Sequence, residues 1–238
     1  LPLSRAFPSG SPPAEARAST GAVHSRLRVG LGILAVLTFY ISLSGVWTFI
    51  GAIAEGAGIG AGASGEVLAV ATLMGIAGAA CASFIGNRLP RDLMLLGGYL
   101  AMAAAILLLI GQPPLARFAL AALLFKFTWT FALPFILACL ADLDRSGRLM
   151  NASNLVIGGG LAIGPALAGR LIESSGGFLP LLPIAAGLAG LSLLLALAYG
   201  HGSAVVLFGA LFMFAVFGQV TVNDAMVRSE ERRVGKEC

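Results

Sequence analysis

The amino-acid sequence predicts an all-α, polytopic membrane protein: a six-helix bundle arranged as a three-plus-three inverted repeat, followed by one additional hydrophobic span. Three observations carry this. Only 11% of the 238 residues are charged and 58% are hydrophobic, against about 25% charged in a soluble domain, so there is too little polar surface to coat a globule in water. The apolar residues fall into seven runs, each near the 17–25 residues that cross a bilayer as a helix. Those runs are rich in Leu, Ala, Ile and Gly without alternation of period two, which excludes barrel strands.

Taken in order, the runs are Val29–Ala54, Val67–Ile85, Leu93–Ile110, Phe118–Ala141, Asn151–Ile172, Leu179–Tyr199 and Ala204–Val222. The first begins too late and is too long for a removable signal peptide. Ahead of it, residues 1–27 are rich in Pro, Ser, Ala and Arg, a composition that buries no core and predicts a flexible linker. Residues 28–200 form the expected six-helix unit. Residues 201–227 hold the seventh span, which fits that unit poorly and reads as a chimeric join near Gly200-His201 or as an extra helix. The tail, Arg228 to Cys238, resembles an in-frame translation of a short-read sequencing adapter over all its eleven residues. On that reading it is an artefact with no function; the alternative is a charged, solvated terminus. The chain begins with Leu1, so a missing upstream half is expected.

Charge is better read by position than as a sign of nucleic-acid binding. With the N-terminus inside, the inner segments carry Arg5, Arg17, Arg26, Arg28, Arg88, Arg91, Arg145 and Arg148, and the outer loops carry Arg117 and Arg170. This bias places the N-terminus in the cytoplasm and the chain in the cell membrane. Cys81, Cys139 and Cys238 form neither a disulfide framework nor a metal motif, and His24 and His201 have no ligand partners at metal spacing. No metal or cofactor is expected.

Within the first six spans, two triplets repeat. Tyr40, Ser44, Trp47 and Thr48 share one face of span one, and Lys126, Trp129, Thr130 and Leu133 share one face of span four. Spans two and five are built from small residues: Gly75, Gly78, Ala79 and Ser83 in one, and Gly158, Gly159, Gly160, Gly164 and Gly169 in the other. Small residues allow close approach of helices in lipid. Spans three and six are almost purely apolar, as expected of helices facing lipid. A lined helix, a close-packed helix and an apolar helix, repeated in opposite topology, is a transporter architecture.

At this point the residues resemble the major facilitator superfamily of secondary transporters. Gly160-Leu161-Ala162-Ile163-Gly164-Pro165-Ala166-Leu167-Ala168-Gly169 is similar to its GxxxGPxxGG pattern, with Ala168 in place of one Gly. Gly86-Asn87-Arg88-Leu89-Pro90-Arg91-Asp92 looks like a degenerate copy of its short basic loop between second and third helices. Asp142 to Arg148 lies where that fold places a comparable charged turn. The resemblance covers Arg28 to Tyr199. Span four lacks the internal Arg and the following Gln-Gly pair of an N-terminal half, so the resemblance is to the C-terminal half, helices seven to twelve.

The resemblance implies a secondary transporter of small solutes working by alternating access, with efflux and proton coupling as candidate properties. Its implied partners are the bilayer, a small-molecule substrate and the missing N-terminal half. It also implies that spans one and four line the substrate cavity, giving Tyr40, Ser44, Trp47, Thr48, Lys126, Trp129 and Thr130 as cavity residues. Lys126 reads either as an anion-binding or coupling residue, or as a lysine snorkelling to the outer interface. Trp47, Trp129 and Tyr40 read as stacking surfaces or as packing and interfacial anchors. Pro134 and Pro165 are hinges or tolerated prolines, with Gly160, Gly164 and Gly169 as helix-packing positions. Arg88, Arg91, Asp92, Asp142, Asp144, Arg145 and Arg148 form a cytoplasmic charge network, either gating the inward opening or only setting topology.

Two other classes compete. A non-transporting assembly subunit could use Gly56–Gly60, Gly58–Gly62 and Gly160–Gly164. An intramembrane enzyme lacks its constellation: Ser64 lies in an outer loop, and spans one to six contain neither His nor Asp.

Overall fold

A computed structural model describes residues 18–86, 88–143 and 148–200. The seventh span and the adapter-like tail lie outside the described residues. The described residues form six α-helices joined by short turns: α1 (Ala18–Gly56), α2 (Ala61–Ile85), α3 (Arg91–Leu108), α4 (Leu115–Leu143), α5 (Arg148–Ser175) and α6 (Leu181–Gly200). Each is long and apolar enough to cross a membrane, with mean hydropathy between 1.6 and 2.3 over its span. The protein is a multi-pass helical membrane bundle. In lipid each backbone N–H and C=O must be paired within its own helix, and runs of this length meet that demand.

The helix ends agree with the hydropathy boundaries within a few residues, with two departures. α2 begins at Ala61, six residues before the expected Val67, so Ser64 lies buried in a helix and not in a loop. α1 reaches back to Ala18, so residues 18–27 of the expected flexible linker are helical. The last proline before it is Pro13, and nothing between that point and the membrane stops the helix propagating. Gly86 (φ +48°) and Gly176 (φ +72°) end α2 and α5. Both have a positive φ, which glycine adopts without Cβ strain.

Packing does not follow chain order. Successive neighbours run α5–α1–α6–α3–α4–α2, and α1 also touches α4 at the centre. Exchanging α1 with α4, α2 with α5 and α3 with α6 turns this order into its own reverse. Three crossings separate equivalent helices, so the two triplets have opposite topology.

Hydrogen bonds obey the same exchange. Ser42 Oγ donates to Ala185 O at 2.7 Å, joining α1 to α6, and Thr128 Oγ1 reaches Met102 Sδ at 3.8 Å, joining α4 to α3. Ser192 ties three helices together: its hydroxyl lies 2.6 Å from Ala35 O and 2.6 Å from the Tyr99 hydroxyl. In lipid, association rests on such contacts and on close packing, because the tails are as apolar as the side chains they would replace.

The expectation that spans three and six face lipid is corrected. Burial within the bundle covers 39% of the α3 span and 56% of α6, but only 22% of α2 and 17% of α5. Leu193 and Leu197 of α6 and Met102 and Ile106 of α3 are core residues. Apolarity alone does not distinguish lipid from a neighbouring helix. α2 and α5 instead flank the bundle, each using its small residues against one partner and leaving Leu73, Ile76, Leu155 and Leu167 exposed.

Candidate functional site

The two small-residue helices set the geometry of the lined helices. On α5, a Cβ at Gly160 would stand 2.6 Å from Tyr40 Cβ, and one at Gly164 would stand 2.0 Å from Ser44 Oγ and 2.5 Å from Ile41 O. On α2, a Cβ at Gly75 would meet Lys126 Cγ at 3.3 Å, and one at Gly78 would meet Phe127 O at 2.2 Å. Only glycine allows either crossing. Each is then closed by a hydroxyl of the lined helix: Ser44 Oγ donates to Gly160 O at 3.0 Å, and Thr130 Oγ1 donates to Gly75 O at 2.6 Å. Adding 86 to Tyr40, Ser42 and Ser44 gives Lys126, Thr128 and Thr130. The same packing device is therefore built twice, with Lys126 where the first repeat has Tyr40.

That exchange of tyrosine for lysine creates the unusual feature. Lys126 lies eight residues (126 − 118) into its apolar stretch, about 12 Å at 1.5 Å per residue. A charge in a membrane helix costs about 2.5–3.5 kcal/mol at the centre, so it is retained for a reason. The stem of Lys126 lies on Gly75, and its Nζ stands 4.3 Å from the centre of the Trp47 ring and 4.4 Å from that of Trp129. The two indoles are nearly perpendicular, with an interplanar angle of 85° and centroids 6.3 Å apart, so the ammonium sits between two π-faces. Cation–π contacts of this kind supply about 0.5–2 kcal/mol each as water is withdrawn. Phe125 stacks on Trp47 at 5.9 Å, and Tyr40 meets Trp129 edge-on at 6.3 Å.

The expected cavity residues thus divide. Trp47, Lys126 and Trp129 converge as half-buried side chains, with buried Tyr40 behind them. Ser44 and Thr130 are committed to helix–helix hydrogen bonds, and Thr48 is exposed at the edge. A shallow apolar groove of about 240 Å³ runs between α3 and α4, lined by Leu93, Met94, Gly97, Phe127 and Phe131 among others; none of the seven cavity residues lines it. Pro134 and Pro165 both lie inside continuous helices, and Gly169 packs towards the Phe49 ring.

At one end of the bundle, Arg91 at the start of α3 forms an ion pair with Asp142 at the end of α4. Arg88 is not part of that pair; its guanidinium lies 4.6 Å over the Phe84 ring. Asp92, beside Arg91, also makes a polar contact. Asp144, Arg145 and the Arg148 side chain lie outside the described residues.

Phe125, Ser42, Thr128, Tyr99 and Ser192 carry contacts that hydropathy and motif did not single out. The first three become visible once span one is laid on span four at the shift of 86. Tyr99 and Ser192 pair across the repeat, 93 residues apart in sequence, and nothing local marks them.

Scans against protein-family models, curated proteins and solved structures return no match to this chain.

Proposed function

We propose that the chain forms one half of a secondary transporter of small solutes, of the major facilitator type, in which two six-helix bundles rock about a central site. The observation that carries this is the internal two-fold repeat with a charged and aromatic cluster at the junction of its lined helices: Lys126 and the two tryptophans sit where α1, α2 and α4 meet. Inverted repeats with a polar site near their interface are the physical basis of alternating access. The exposed flanks α2 and α5 are where the second bundle would pack. The Arg91–Asp142 pair is then a cytoplasmic contact that can open and close with the bundle. The arginine bias supports an N-terminus on the cytoplasmic side of a cell membrane, and the Gly160–Gly169 pattern tilts the reading toward proton-coupled efflux.

The assembly-subunit reading is weakened by one observation. Gly160 and Gly164, its strongest association motif, are already taken up by Tyr40, Ile41 and Ser44 of the same chain.

The test is transport by the complete gene product in proteoliposomes, with uptake of a labelled solute panel measured under an imposed proton gradient. Transport that collapses in Lys126→Gln and Trp129→Ala supports the proposal. Transport indifferent to both changes, or none across the panel, refutes it.

A further inference from the structure

We propose that the Lys126 ammonium, held against the Trp47 and Trp129 rings, is a binding site for an organic anion, a carboxylate or phosphate carried on an apolar or aromatic body. This names the substrate class of the site above and rests on that reading for its place in transport, but not for the binding itself.

The argument starts from charge balance. None of the six apolar stretches contains an Asp or Glu; Glu55 in the last turn of α1 and Glu66 near the start of α2 form no ion pair with Lys126 among the described residues. Among the described residues, Lys126 makes no ion pair, and its Nζ has no hydrogen-bond acceptor. The two indoles stabilise the cation through their faces, but a π-face does not replace an anion, and an ammonium carries three N–H donors. The stem of Lys126 passes over Gly75, where the Thr130–Gly75 hydrogen bond holds its helix. A half-buried ammonium with unused donors is completed by an anionic group.

The body of the ligand is set by the walls. Trp47 and Trp129 stand at right angles with Phe125 and Tyr40 behind them. These surfaces favour an apolar or aromatic skeleton and provide little for a polyhydroxylated one. The symmetry-related position on α1 is Tyr40, which is neutral and buried, so the device is one-sided and holds one anion per bundle.

The chain provides its own probe, because Trp47 and Trp129 are its only two tryptophans. The full chain is purified in maltoside micelles and its tryptophan emission titrated with 4-phenylbutyrate, with 4-phenylbutanamide and 4-phenylbutylammonium as neutral and cationic controls. A saturable change is expected with the carboxylate, at least about tenfold weaker with the amide and absent with the amine. Lys126→Gln is expected to weaken carboxylate binding about tenfold or more, whereas Lys126→Arg retains it. Circular dichroism and gel filtration establish that each variant is folded. Competition by added phosphatidylglycerol would identify a lipid headgroup as the anion's source, and its absence a free solute; either keeps the site. Equal response to acid and amide, an unchanged Lys126→Gln titration, or no saturable change up to about 10 mM overturns the proposal. Because micelles require no transport, anion binding without transport by the complete gene product removes the transporter reading alone, and transport without anion binding removes this one alone.

Discussion

Replacing Gly164 by alanine tests the helix crossing that places Tyr40 and Ser44. The new Cβ would stand 2.0 Å from Ser44 Oγ, 2.5 Å from Ile41 O and 3.0 Å from Gly45 N. Rotating Ser44 removes the first contact but not the other two, which are backbone. Ordinary carbon–oxygen contact lies near 3.3 Å, so α5 must retreat from α1 by the better part of an ångström. That retreat breaks the 3.0 Å bond from Ser44 Oγ to Gly160 O. Overpacking costs about 1–3 kcal/mol, and the lost interhelical hydrogen bond about 0.6–1.7 kcal/mol. Alanine returns about 1 kcal/mol through helix propensity. The net expectation is destabilisation by about 0.6–3.7 kcal/mol. Gly159→Ala is the matched control, since a Cβ there meets nothing within 4 Å; propensity alone operates, and this variant should be stabilised by up to about 1 kcal/mol. Both are read by denaturant titration in mixed micelles with tryptophan emission as the signal. If Gly164→Ala is as stable as Gly159→Ala, the close α1–α5 crossing does not exist and the reasoning fails.

Other expectations follow from the same geometry. Ser44→Ala and Thr130→Ala remove equivalent bonds, so each should cost about 0.6–1.7 kcal/mol and the two should agree closely in the same titration. A double-mutant cycle on Arg91 and Asp142 should return only about 0.2–1 kcal/mol, because their side chains are 36% and 67% exposed; that coupling should shrink further at 1 M salt. In a background lacking native cysteines, Leu155→Cys, at a position 80% exposed, should react with a maleimide in micelles, whereas Leu193→Cys, at a position 1% exposed, should not. Labelling of both at similar rates would contradict the placement of α6 inside the bundle and α5 on its flank.

How far these features could be read from the chain depends on the range of the physics behind them. Backbone satisfaction in lipid is local, so an apolar run of some twenty residues declares a helix whatever its neighbours are. That is why the first six spans were legible, though not the early starts of α1 and α2, and why the glycines that end α2 and α5 lie where hydropathy falls. The repeat was legible too, since the hydroxyl and glycine pairs recur at a nearly constant shift. Side-chain contacts between repeats were not. Trp47 and Lys126 are 79 residues apart (126 − 47), and no periodicity within either helix says that one will cover the other.

The sequence by itself therefore determined that this protein lives in a membrane, where six apolar spans cross it, and that two of them carry polar and aromatic stripes. Only the tertiary structure decided that α6 is buried and α5 flanks, that each small-residue helix crosses the lined helix of the other kind, and that an ammonium stands between two indoles. The reason is physical: lipid and protein interior are equally apolar, so composition determines that a helix spans the membrane, while the fit of glycine beneath a hydroxyl or a lysine stem determines which helix it touches.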